Sequence, residues 1–408
     1  MRLLIVVPPE RFDFYNYLSQ IENHELILLW HVSKKSMDFS LTELPVKFKQ
    51  IIFWNDFYTA EQLLLKTKVD KVIFFEIIDL RQIALIVTAK KLGITTFYLE
   101  HGAAGDKNTA ISRWKEITIL KHKLPYFLKR IRSSFLDVFR SKLFYYSVRG
   151  RFESWKSYLK YLKLPFLMLT AAPNKVLAHC IFKERVPRYS IVFNRVNFEQ
   201  YQVYTGISEG DALFTGVPFF DKFYTDNRDE KDYVVFIDHP YLEERLLEWT
   251  KEYHEKMAKA IFQFAEERKT KVYIKLHPLS NIETRKSYKF NYDYIEILRK
   301  GDFTSLYLNS KLILGFSSSL LNGFLCAKKN VVLLGWHPVP QIFGNDFSKS
   351  GLCHSSFNIA DLSEQYSFWI SNNKCTSCQS AYDSFLKQCN YPFDGNATQR
   401  VLDAILTL

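Results

Sequence analysis

The chain has 408 residues, 47% hydrophobic and 16% aromatic, with a formal net charge of +12. That length calls for two domains of about 200 residues each, and the apolar fraction excludes a disordered chain. The excess positive charge points to an anionic partner: a phosphorylated substrate, a nucleic acid or an anionic membrane. No stretch approaches the roughly 20 continuous apolar residues of a membrane-spanning helix. The opening run Met1–Val7 stops at Pro8-Pro9-Glu10 with no small-residue cleavage site, so it reads as a strand rather than a signal peptide.

From the start to about residue 110, strand and helix patterns alternate. Strands are expected at Leu3–Val7, Leu26–His31, Ile51–Phe53, Lys71–Phe75 and Thr95–Leu99, and helices at Phe12–Ile21, Tyr58–Lys66 and Leu80–Leu92. That order predicts a doubly wound α/β half. Its last strand runs into Glu100-His101-Gly102, where such sheets place working groups. Either Glu100 or His101 is a candidate general base. The bland alternative is a solvated acid followed by a turn.

Between Lys121 and Lys163 lie 12 Lys or Arg and only two acids, Asp137 and Glu153, so this stretch carries +10 of the total charge. Lys121, Lys123, Lys129, Arg130, Arg132, Arg140 and Lys142 are interleaved with aromatic residues at helical spacing. A basic amphipathic insertion, over about 118–167, suits the surface of an anionic bilayer. A basic face packed on the first domain by its apolar side is the competing reading. No nucleic-acid motif accompanies the charge.

Short strands are expected at Lys175–Ala178, Ser190–Phe193 and Ala212–Gly216. The charged turn Thr225–Lys231 marks a boundary between domains 1–225 and 226–408. The second domain opens with the strand Tyr233–Ile237, which ends in Asp238-His239-Pro240. A helix over Leu242–Lys269 follows. Asp238 is either a nucleophile in a retaining mechanism or a helix cap. The strand Lys271–Leu276 stops at His277-Pro278. The strand Leu312–Gly315 breaks into Phe316-Ser317-Ser318-Ser319 and a helix over Leu320–Ala327, and Val331–Gly335 closes the unit. Hydroxyls and free N–H groups at a helix start favour an anion, so His277 and Ser317–Ser319 are candidate phosphate ligands. Thr398–Leu408 reads as a final helix. Cys375-Thr-Ser-Cys378 has metal-like spacing but lacks a second pair, so reduced thiols are expected.

His277-Pro278, followed 40 residues on by the serine cluster, resembles the HP and SS motifs of bacterial sialyltransferases, polysialyltransferases and Kdo transferases. The resemblance implies a GT-B fold: two Rossmann-like doubly wound domains facing a cleft, with the basic helical insertion in the first. It implies that His277, Ser317 and Ser318 bind the phosphate of a CMP-sugar and that Glu100 stands at the place of the general base; Pro278, Gly315 and Ser319 are counted with the donor site, and His101 and Asp238 are further catalytic candidates. An acidic sugar of the sialic or Kdo type would pass to a capsule or lipopolysaccharide acceptor. No cofactor or metal is expected beyond the donor, since no Asp-x-Asp pair accompanies the phosphate site. The expected place is the cytoplasm, at the inner face of the cell membrane. His101 stands where a second acid is usual in those families. His-Gly in the first domain is also similar to the CDP-glycerol and CDP-ribitol phosphotransferases of teichoic-acid assembly, which leaves that activity as the alternative. A non-catalytic member of a glycan-assembly complex is the third reading.

Overall fold

The computed structural model describes residues 1–7, 16–30, 32–34, 46–102, 137, 139–148, 152–170, 176, 181–225, 229–244, 246–288, 292–299, 301–316, 318–338 and 350–408. The chain divides into two compact units. The first holds Met1–Gly102, Ala110–Pro218 and Thr398–Leu408; the second holds Ala103–Thr109 and Phe219–Ala397.

The described residues of the first unit form a seven-stranded sheet in the order β3-β2-β1-β4-β5-β6-β7. The strands are β1 (Arg2–Val6), β2 (Glu25–Trp30), β3 (Gln50–Phe53), β4 (Lys71–Phe74), β5 (Thr95–Leu99), β6 (Tyr189–Val192) and β7 (Ala212–Phe214). Every pair is parallel. The central strands are apolar nearly throughout because helices cover both faces of a parallel sheet. Leu4, Val6, Val72, Phe74 and Tyr98 sit in one core with Leu85 and Leu64 of the flanking helices. Helix starts follow capping chemistry. The Thr59 side chain accepts from the Gln62 N–H, and Asp79 from the Arg81 N–H at 2.8 Å. The strand order reverses between β1 and β4, since β2 and β3 lie on one side and β5 to β7 on the other.

The second unit repeats the plan with six parallel strands in the order β10-β9-β8-β11-β12-β13. They are β8 (Lys231–Ile237), β9 (Lys271–Lys275), β10 (Ile295–Leu298), β11 (Ser310–Gly315), β12 (Val331–Leu334) and β13 (His354–Ser356). Here the reversal falls between β8 and β11. A separate core gathers Val234, Phe236, Ile274, Leu312, Leu314 and Val332 with Trp249, Ile261 and Trp369.

Several expectations are corrected. The helix expected over Leu242–Lys269 is two: a short turn at Tyr241–Glu244 and a main helix at Lys251–Arg268. Leu247 and Glu248 break it, each with φ of 54°. Thr250 then restarts it, its hydroxyl accepting from the Tyr253 N–H. Strands β10 and β13 carry no strand signal that the sequence reading used. Val176, the only described residue of the strand expected at Lys175–Ala178, is helical. The boundary falls at Phe219 rather than 226, and residues 398–408 belong to the first unit. Their helix is held there by Lys71, whose Nζ donates to the carbonyls of Ile405 (2.7 Å) and Leu406 (3.2 Å). Arg400 Nε also donates to the Thr215 carbonyl at 2.8 Å. A buried cation at a helix C-terminus complements the dipole.

Candidate functional site

In each sheet the carboxyl edge beside the strand-order reversal is where ligands bind in this architecture. In the second unit β8 and β11 flank that point, with β9 and β12 just outside. All three His-Pro dipeptides of the chain lie here: His239-Pro240 after β8, His277-Pro278 after β9 and His337-Pro338 after β12. The His239 and His277 rings stack with centroids 5.9 Å apart. Tyr241 also stacks on His239, with centroids 4.0 Å apart, and its hydroxyl lies 3.2 Å from His337 Nε2. Tyr241 is buried among Trp249 and Phe316, which fix its ring.

His277 Nδ1 accepts a hydrogen bond from the Leu279 N–H at 3.2 Å. In the neutral ring that places the proton on Nε2, which makes that nitrogen a donor. Arg299 secures the same turn by donating to the Pro278 carbonyl at 3.1 Å. Burial pushes His337 down to about 4, so it is neutral near pH 7. His239 was passed over by the sequence reading in favour of His277; the fold stacks the two rings together. Tyr241 was missed as well, because an aromatic residue four positions past a strand has no signature of its own.

The serine cluster divides. Ser317 lies outside the described residues. The Ser318 hydroxyl accepts from the Leu320 N–H at 3.3 Å, so it serves the start of the helix at Leu320–Cys326. Ser319 is exposed and makes no side-chain cap. β8 intervenes between β9 and β11, so two strand spacings, about 10 Å, separate the His277 and Ser318 strands. His239 fills that interval. Gly315 answers a packing need: a Cβ there would meet Leu321 Cδ2 at 3.0 Å.

Asp238 faces away from nucleophilic duty. Its side chain is 3% exposed and lies 3.2 Å from Arg285 Nη2. Arg285 also holds Glu243 through both of its terminal nitrogens. Burial pushes Asp238 up to about 6, against the pull of Arg285 and Ser280. A buried, ion-paired carboxylate tied to a guanidinium is a structural clamp, and the helix-cap reading fails too, because the partner is Arg285. Arg285 was not singled out from sequence; its only signal was a basic pair, Arg285-Lys286, inside a short helix, Ile282–Tyr288.

In the first unit, Glu100 follows β5 and is 7% exposed. Tyr98 donates to its Oε2 at 3.0 Å, and the N–H groups of His101 and Gly102 donate to Oε1 at 2.9 and 3.4 Å. Such a carboxylate is fixed in place. His101 is more open, its side chain 29% exposed, with Nδ1 3.7 Å from Glu100 Oε1. Of the two candidate bases, His101 is therefore the accessible one and Glu100 the group that shapes its turn. Asn197 Nδ2 donates to the Gly102 carbonyl at 2.6 Å and closes that turn. Glu76 follows β4, at the reversal itself. Its carboxyl is raised by burial and drawn back by the His101 ring. The sequence reading stopped at Phe75 and missed it.

Of the basic residues, Lys121, Lys123, Lys129, Arg130 and Arg132 lie outside the described residues. Arg140 stands over the Tyr58 ring at 5.8 Å, and Lys142 is half-buried on the helix over 139–146. Cys375 is buried, its thiol donating to the Leu352 carbonyl, while Cys378 is exposed. Among the described residues no cluster of His, Cys, Asp or Glu could hold a metal.

No family model and no curated protein matches the chain. Solved structures do. Wall teichoic acid polymerase TagF superposes over 99% of this chain and 88% of its own, with a TM-score of 0.55 and 12% identity. UDP-GlcNAc 2-epimerase from Neisseria meningitidis, bound to UDP-GlcNAc, matches over 100% of both chains with a TM-score of 0.52 and 12% identity. The glycotransferase of kitacinnamycin matches over 99% and 98%, with a TM-score of 0.52 and 10% identity. The fold is of the GT-B type, with two Rossmann-like units.

Proposed function

We propose that the protein is a glycan-assembly transferase that uses a nucleotide-activated donor. One observation carries this reading: three His-Pro dipeptides follow strands at the carboxyl edge of the second sheet, around the strand-order reversal, on the same edge as Ser318 beyond β11. An imidazole N–H at the carboxyl end of a strand suits a phosphate on which negative charge grows as the donor bond breaks. His277 Nε2–H is the best-defined donor, with His239 beside it. In the first unit His101 takes the proton of the acceptor hydroxyl, held by the turn that Glu100 anchors. The likeness to TagF, the epimerases and the kitacinnamycin enzyme supports the fold on which this chemistry rests.

The finer form of the proposal is a CMP-linked acidic sugar passed to a surface-glycan acceptor. A second reading, transfer of a polyol phosphate from a CDP-polyol, gains support from the number of imidazoles, which suits a diphosphate. It also gains from His101, the more open of the two candidate bases. Calorimetry with CMP, CDP, UDP and GDP separates the two. Nucleotide binding should weaken by about 1.5–3 kcal/mol in His277→Ala and in His239→Ala. Unchanged affinity in both variants would remove the phosphate site and the proposal with it. Clear preference for CDP over CMP moves the reading to the polyol.

A further inference from the structure

The helix Trp155–Thr170 carries apolar side chains on two sides, one buried and the other in part exposed. Tyr161 and Leu164 are buried on the first. Tyr161 stacks on Tyr145 at 4.1 Å, and the Tyr145 hydroxyl donates to the Tyr161 carbonyl at 2.6 Å. At 100° per residue, Trp155, Leu159, Leu162 and Phe166 fall within an arc of about 60° on the second face. Trp155 is 69% exposed and Phe166 66%. Leu162 is in part packed on the core. Lys156 and Lys163 run along one side of this stripe, with Lys160 between them donating to the Ile181 carbonyl at 2.8 Å, and the helix contains no acid. Lone exposed apolar residues are ordinary on a soluble surface. Here they recur at helical spacing beside a row of lysines. The packed neighbour, the helix over 139–146, repeats the pattern, with exposed Phe139, Leu143 and Tyr146 at i, i+4 and i+7 next to Arg140 and Lys142.

We propose that the Trp155–Phe166 stripe lies in the headgroup region of an anionic lipid bilayer, with the flanking lysines on lipid phosphates. Charge decides the occupant. The stretch 121–163 carries +10, so neither a second copy of the chain nor the neighbouring basic segment complements it. An anionic bilayer does, at close to the Debye range where each lysine counts. Indole and phenyl rings suit the boundary between headgroups and acyl chains, and lysine stems extend back to the phosphates. Lying flat, the helix is about 24 Å long. Among the described residues no helix is long and apolar enough to cross a membrane.

Co-sedimentation of the full chain with equimolar phosphatidylglycerol–phosphatidylcholine vesicles, against pure phosphatidylcholine, tests this without any donor or activity assay. Binding is expected to the anionic vesicles only, and to fall steeply with salt. A double variant, Trp155→Ser with Phe166→Ser, should bind at least about tenfold more weakly. Lys156→Glu with Lys163→Glu should do the same through charge. Circular dichroism and urea unfolding confirm that each variant is folded. Should one variant pair unfold, the other still decides. No binding to anionic vesicles at low salt overturns the proposal, and so does binding that both folded variants retain. A dimer in lipid-free sedimentation that the Trp155/Phe166 variant dissolves would assign the stripe to a second copy instead.

Discussion

Glu100 and Asp238 each stand one residue beyond a buried parallel strand, in sheets of the same plan, and each is almost wholly buried. Their surroundings differ. Glu100 is held by neutral donors, a tyrosine hydroxyl and two backbone N–H groups. Asp238 is held by a buried guanidinium. The first arrangement leaves a partly exposed imidazole beside it; the second commits its carboxylate to a clamp. Position in the fold marks a residue as a candidate, and the partner decides whether it is chemistry or scaffold.

The sharpest way to break this contrast is to remove the open imidazole. His101→Ala should lower transfer about 10²–10⁴-fold while leaving nucleotide affinity and unfolding unchanged. Equal loss from Asp238→Asn in a folded protein would reverse the assignment. Next in size, Arg285→Ala leaves the buried Asp238 and the half-buried Glu243 without their cation. Urea unfolding should report a loss of about 3–5 kcal/mol.

The pH dependence of stability sharpens the same point. Asp238 sits at about 6 in the folded protein against an ordinary value of 3.8, so the folded state holds its proton more tightly. Its contribution is full below about pH 4 and is lost as pH rises toward 6. The fall is on the order of 3 kcal/mol, and it should vanish in Asp238→Asn when both are unfolded in urea across that range. A wild-type curve whose slope the variant leaves intact would place the proton elsewhere. Smallest is Tyr98→Phe, which removes one charged hydrogen bond from Glu100. A loss of about 1.5–3 kcal/mol is expected in thermal or urea unfolding.

The sequence showed the strands best where they are buried on both faces. β5 appeared at its observed bounds because Thr95–Leu99 is an unbroken β-prone run closed by an acid and a glycine turn. β13, His-Ser-Ser, is polar and three residues long, and exists because β12 offers it a ladder. No local pattern could announce it. The break at Leu247 and Glu248 was hidden by an apolar rhythm that runs on through it. For the site, the reading found the end of β5 in the first unit and the ends of β8, β9 and β11 in the second, but at β8 it chose Asp238 and not His239. Glu76 and His239 sit at the reversal itself, and strand order is a long-range property that residue spacing does not carry. Arg285 was illegible for the same reason: its partners are 47 and 42 positions away.

The return of residues 398–408 to the first unit bears on biosynthesis. Lys71 and the Thr215 carbonyl must wait for a helix that the ribosome makes only after all of the second unit has been synthesised. The first unit therefore cannot reach its final state by domain-by-domain maturation during translation. A chain cut short before residue 398 would hold every residue of the second unit beside an incomplete first one.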